Sequence, residues 1–133
     1  MRTLLLLILM TTFTPAWSLP QASAFPRGPA TIACVVEAAR RQDVPVNVLL
    51  AIASIESGKN GQFVINENGS KDMGHFQLNT IHWQEHGDFV GVAMDDAAWR
   101  GCYNAELAAW LLHQRLLEPG IPDFWTRAAN YHS

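Results

Sequence analysis

The sequence predicts a mainly α-helical fold that carries one small β-hairpin. Three observations point there. Apolar residues recur at helical spacing in runs near residues 32–39, 46–56 and 105–118, each bounded by proline, glycine or a capping side chain. One Asn-Gly pair, Asn68-Gly69, stands between two short apolar stretches and reads as a hairpin turn. Strand-like alternation is otherwise slight, and no repeat or low-complexity tract interrupts the chain.

The first 24 residues, opening MRTLLLLILM, hold one arginine, a leucine-rich run, then proline and small residues, with no acid before Glu37. This is the layout of a secretory signal peptide, and its apolar run is too short for a bilayer span. Cleavage is expected after Ala24 in preference to Ser18, because the earlier cut leaves a Leu-Pro start. A retained membrane anchor is the competing reading.

Residues 25–133 then form one domain. AFPRGPA is an aperiodic lead-in, and Thr31 is positioned to cap a first helix whose Ile32, Val35, Val36 and Ala39 share a face. Pro45 suits the start of a second helix, Val46 to Glu56, with Val46, Leu49, Leu50 and Ala53 inward and Gly58 as a left-handed stop. QFVI and MGHFQL flank the NENGSKD turn. Asn79 is a cap for a brief helix reaching His86, and GDFVGVAMDD reads as loop. AELAAWLLHQRLLE carries a stripe of Leu107, Trp110, Leu111 and Leu117 and stops at PGIP, after which Asp123 caps a last segment, FWTRAANYHS.

Without Arg2 the chain holds 8 basic and 12 acidic residues, a net charge of −4 over 109 residues. The Lys and Arg side chains are scattered, which excludes a basic stripe of the kind that binds nucleic acid. A cell-wall polymer or another protein is the better partner, and nothing calls for an obligate assembly, so a monomer is expected. Cys34 and Cys102, in an exported chain, predict a disulfide, with two buried free thiols as the alternative. Closing so long a loop stabilises a fold by roughly 4 kcal/mol in the chain-entropy account.

Glu56 is the first candidate for chemistry. It follows Ile52 by four residues and Leu49 by seven, so it shares the apolar face or its border and loses water. It also sits in the last turn, where the negative end of the helix dipole disfavours a carboxylate by about 0.3–1 kcal/mol. One pKa unit is worth about 1.4 kcal/mol, so burial must supply most of any rise. A carboxyl group held protonated near neutral pH is what a general acid requires. The bland alternative is a glutamate at a frayed helix end, in solvent or paired with Lys59.

The neighbours of Glu56 alter that balance. Glu-Ser at 56–57 is followed by an Asn-Gly turn, then by DMGHFQLN, a long helix and AANYHS, in that order. This ordered set resembles the soluble lytic transglycosylases of the lysozyme-like superfamily, in particular the small exported members that accompany secretion, pilus and conjugation machines. The resemblance runs from about Cys34 to Ser133 and implies a lysozyme-like α+β fold. It implies Glu56 as the catalytic acid and Ser57 as the hydroxyl beside it. Gly74, Phe76 and Gln77 match a strand lining the sugar groove, where glycine admits substrate to the backbone and the amide binds sugar. Asn104 matches the asparagine at the start of the next helix, and Tyr131 the tyrosine near the acid, with His132 in the place where asparagine is usual. Core packing is the alternative for Phe76 and Tyr131.

The resemblance implies cleavage of the β-1,4 bond between N-acetylmuramic acid and N-acetylglucosamine. One glutamate protonates the bridging oxygen, then takes the proton of the muramic 6-hydroxyl as that oxygen closes on the anomeric carbon, giving a 1,6-anhydro product without water. It also implies a periplasmic or secreted location, peptidoglycan strands as substrate and subunits of an envelope-spanning apparatus as possible partners. Asp72 or Glu67 as a second carboxylate would make a lysozyme-type hydrolase instead. The rival from another class is a glycan-binding scaffold without activity, for which Trp83, Trp99, Trp110 and Trp125 offer stacking surfaces or core filling alike. His82 and His86 stand four apart, but Glu85 is out of register for a zinc-peptidase helix. They are expected to be exposed polar histidines, and neither a metal nor another cofactor is expected.

Overall fold

The computed structural model describes residues 19–132, so most of the expected leader, residues 1–18, lies outside the described residues. Leu19, Ala22 and Phe25 pack against the body of the domain, and the Phe25 ring sits 5.4 Å from that of Tyr103. Among the described residues are six α-helices and one three-stranded antiparallel sheet. None of the helices is long and apolar enough to cross a membrane.

Helix α1, Ile32–Arg41, starts where expected: the Thr31 hydroxyl accepts from the Cys34 backbone N–H at 3.2 Å. Val35, Ala38 and Ala39 are buried, but Ile32 is 74% exposed and does not join the core. Helix α2 spans Val46–Glu56, with Val48, Leu49 and Ile52 buried and Val46, Leu50 and Ala53 only half-buried.

The expected hairpin is a three-stranded sheet of β1 (Phe63–Ile65), β2 (Lys71–Met73) and β3 (Leu78–Asn79). Lys71 and Asp72, read from sequence as turn residues, pair with Ile65 and Val64. MGHFQL splits, its GHFQ forming the turn between β2 and β3 instead of a strand. The expected brief helix is present as α3, Ile81–Gln84, which stops two residues short of His86 and has Thr80 at its N-cap position, while the Asn79 side chain accepts from the Ile81 N–H at 2.9 Å.

Helix α4, Met94–Trp99, occupies part of the stretch read as loop. Its Asp95 and Asp96 lie in the first turn, where negative charge favours a helix N-terminus, while the preceding glycines mask the signal. Helix α5, Gly101–Leu116, begins four residues before the sequence pattern suggests. It is buried on all sides, so its first turn carries Tyr103 and Asn104 inward instead of obeying a one-sided stripe. Leu117, expected on that stripe, is exposed past its end. The Asp123 carboxylate caps α6, Phe124–Ala129, and a single 3₁₀ turn, Asn130–His132, follows.

Helix α5 is the axis on which the rest is mounted. Cys34 and Cys102 form the expected disulfide and tie it to α1. Glu106, fully buried on α5, accepts two hydrogen bonds from Arg41 at 3.0 and 2.8 Å and one from Gln42 at 2.7 Å. The same helix holds up the sheet, through Asn104.

Candidate active site

Glu56 is the last residue of α2, and the way the chain leaves it positions everything nearby. The helix is stopped by Ser57, not Gly58: Ser57 takes the left-handed conformation (φ 50°) and its N–H still reaches the Ala53 carbonyl at 3.1 Å. Its hydroxyl, expected beside the acid, donates to the Ser54 carbonyl at 2.6 Å and is exposed. Ser57 is a helix cap here. Gly58 is small for a different reason, since a Cβ there would lie 1.9 Å from the Gly74 carbonyl oxygen. The Gly58 N–H donates to the His75 carbonyl at 3.2 Å, so the segment after Glu56 is fastened onto the 74–77 turn.

That turn is held from below by α5. Asn104, fully buried, accepts from the Phe76 N–H at 2.8 Å and donates to the carbonyls of Met73 and Ala97 at 3.1 and 3.0 Å. Gly74 (φ 69°) is buried against the same amide, and a Cβ on it would meet the Asn104 nitrogen at 2.5 Å. The close approach that this glycine permits is to Asn104, not to substrate. The Tyr131 hydroxyl donates to the Phe76 carbonyl at 3.0 Å, so the two backbone polar groups of Phe76 are gripped from α5 and from the 3₁₀ turn. The Phe76 ring itself is core. Gly74, Phe76 and Asn104 therefore lie beneath the groove and hold its wall, and none of the three is among the residues that line it.

What they support is an open groove of about 290 Å³. Glu56, Gln77, Tyr131 and His132, all named from the sequence, line it together. So do Asp72, Asn68, Asn79, Leu78, Ile81, His82 and Leu111, of which only Asp72 was singled out as a carboxylate. Asn79, read from sequence only as a helix cap, was not seen as a groove residue because that role depends on register: it sits opposite Asp72 across β2 and β3, donating to that carboxylate at 2.7 Å, while Asn66 donates at 3.0 Å. Asp72 thus braces the hairpin and faces the groove at once. Glu67, the other candidate second carboxylate, is exposed on the β1–β2 turn and does not line the groove. A second, more apolar groove of about 380 Å³ between α2 and α6 shares Tyr131 and His132 but has no carboxylate in its walls.

The Glu56 side chain is only 11% exposed. Loss of water pushes its pKa above the ordinary carboxylate value, the cationic form of His132 pulls it down, and the Asp72 charge pushes it up again. His132 Nε2 lies 3.0 Å from Glu56 Oε1, yet that oxygen accepts no directed hydrogen bond. The contact is electrostatic. Burial also raises the Tyr131 phenol well above its usual value, with Glu56 and Asp72 adding to the rise, so the phenol stays protonated and donates. Of the histidines expected to be exposed, His82 is buried and hydrogen-bonded to Asp88 at 2.9 Å.

The family described as the transglycosylase SLT domain matches residues 33–133. The protein named IpgF from Shigella flexneri is 34% identical over 88 residues, covering 65% of this chain and 57% of its own, and its counterpart from Shigella sonnei matches equally. The chain thus spans little more than half the length of these curated relatives.

Proposed function

The chain belongs to the transglycosylase SLT domain family, and on that premise we propose that it cuts peptidoglycan strands as a lytic transglycosylase. The observation that carries this reading is Glu56: a carboxyl group at the lip of a polar groove, nearly stripped of water, with its pKa raised and one oxygen left without a directed hydrogen bond. Protonated, it gives its proton to the oxygen bridging N-acetylmuramic acid to N-acetylglucosamine as that bond breaks. Ionised, it takes the proton of the muramic 6-hydroxyl as the new C–O bond to the anomeric carbon forms. Acid and base are one group, so the scheme is served by a pKa near ambient pH. Gln77 offers a side-chain amide in the groove wall for sugar hydroxyl or acetamido groups. In this reading the protein works as an exported monomer, opening the wall locally for an envelope-spanning apparatus.

A hydrolytic outcome has one observation in its favour, the Asp72 carboxylate in the same groove. It would stabilise positive charge at the anomeric carbon long enough for water to arrive. The test is mass spectrometry of fragments released from purified sacculi, with Glu56→Gln alongside. Anhydro-muramic ends, one water lighter than hydrolysis products and missing with Glu56→Gln, support the proposal. Reducing ends would replace it with the hydrolase, and binding without release with a scaffold.

A further inference from the structure

Outside the Glu56 chemistry, the geometry points to a transition-metal site formed by His82, His86 and Asp88, suited to Zn²⁺ and bordering the glycan groove. The three belong to one seven-residue stretch wound tightly on itself. The N–H groups of Glu85 and His86 both donate to the Ile81 carbonyl, at 2.9 and 3.0 Å, and the Phe89 N–H donates to the His82 carbonyl at 3.2 Å. Asp88 is thereby folded back over His82. One donor atom from each side chain lies within 4.8 Å of the other two, with Asp88 Oδ2 at 2.9 Å from His82 Nδ1 and 3.7 Å from His86 Nδ1.

Ligands around tetrahedral zinc, with metal–donor bonds of about 2.0–2.1 Å, stand roughly 3.3 Å apart, so small side-chain rotations close the site. Two imidazoles and a carboxylate form a donor set for Zn²⁺, Co²⁺ or Ni²⁺ rather than for Ca²⁺ or Mg²⁺. His82 is buried, His86 is 38% and Asp88 26% exposed at the side chain, so the fourth position opens to water. Binding requires the tautomer of His82 with its proton on Nε2, the Nδ1 lone pair going to the metal. The third ligand comes six residues after the first, a spacing that a search for paired helical histidines passes over. Ile81 and His82 also line the glycan groove, so a bound ion would brace one of its walls.

Untagged protein titrated with Zn²⁺ in a calorimeter, and with Co²⁺ followed by its visible absorption, tests this. The expected result is 1:1 binding with Kd of about 10 μM or tighter, weakened at least about tenfold in both His86→Ala and Asp88→Asn, and unchanged in His132→Asn. His86 is solvent-accessible, so its truncation spares the fold, and circular dichroism of both variants checks this. Absence of saturable binding up to about 100 μM, or binding that survives His86→Ala, overturns the proposal. Loss of such surviving binding in His132→Asn would place the ion on the Glu56–His132 pair instead.

Discussion

Glu106 and Glu56 are both drawn out of water, Glu106 completely and Glu56 to 11% of its side-chain surface, yet their oxygens meet opposite surroundings. At Glu106 each carboxylate oxygen has a donor, two from Arg41 on one and Gln42 on the other, so the charge is matched where it is buried. At Glu56 one oxygen has no directed partner, the nearest cation is a mostly exposed histidine, and a second carboxylate adds repulsion. Desolvation then favours the proton. Depth alone does not distinguish the fully paired glutamate from the one whose proton is favoured. The donors around each oxygen do.

Glu56→Gln gives the largest effect. Glycan release from sacculi is expected to fall by about 10²–10⁴-fold with the fold intact, because size and shape are kept and only the transferable proton is lost. Wild-type rates in this variant would break the contrast. Asn104→Ala acts at the other extreme. It orphans the Phe76 N–H and the carbonyls of Met73 and Ala97 in the core, for an expected loss of about 3 kcal/mol in urea unfolding. Glu106→Gln is expected to cost about 2 kcal/mol, since Arg41 is left facing a neutral amide but is itself half-exposed and can rehydrate. Activity per folded molecule should stay close to wild type.

Those last two variants mark the limit of what the sequence discloses. Caps and helix faces were legible because they depend on spacing within a few residues, as Thr31 and Asp123 show. Depth was not: Ile32 lies on the same stripe as Val35 but at the first position of α1, and it remains in solvent. Within the site, motif order identified residues that do converge, but not their level. Gly58, Gly74, Asn104 and the Phe76 backbone form a web below the groove, whereas Gln77, Tyr131, His132 and Glu56 line it. Asp72 and Asn79 enter the groove as a pair only through strand register, and His82 approaches it only through a loop closure. Neither is encoded in the local pattern.

The contrast has a thermodynamic signature as well. Glu56 titrates higher in the folded protein than in the unfolded chain, so folding favours its protonated form. The stability this lends is full below the unfolded value, near pH ~4.3 for glutamate, and is lost as pH rises through the folded value. Glu56→Gln removes that loss. The Tm of the variant should match wild type near pH 4 and exceed it at pH 7 to 8. A variant less stable at neutral pH would mean that the His132 cation outweighs desolvation.

His132→Asn sharpens the comparison by removing the imidazole that stands 3.0 Å from Glu56 and leaving a neutral amide in its place. The cationic imidazole lowers the Glu56 pKa, so its removal raises that pKa further and keeps the acid protonated to higher pH. The limb on which glycan release declines with rising pH should move upward. The shift is expected to be smaller than about one pH unit, because the His132 side chain is 62% exposed and water and salt screen it. For the same reason, the gap between wild type and variant should narrow as salt is added. A downward move of that limb would mean that the imidazole raises the Glu56 pKa, by covering the carboxyl group or by accepting its proton in a hydrogen bond, more than its charge lowers it.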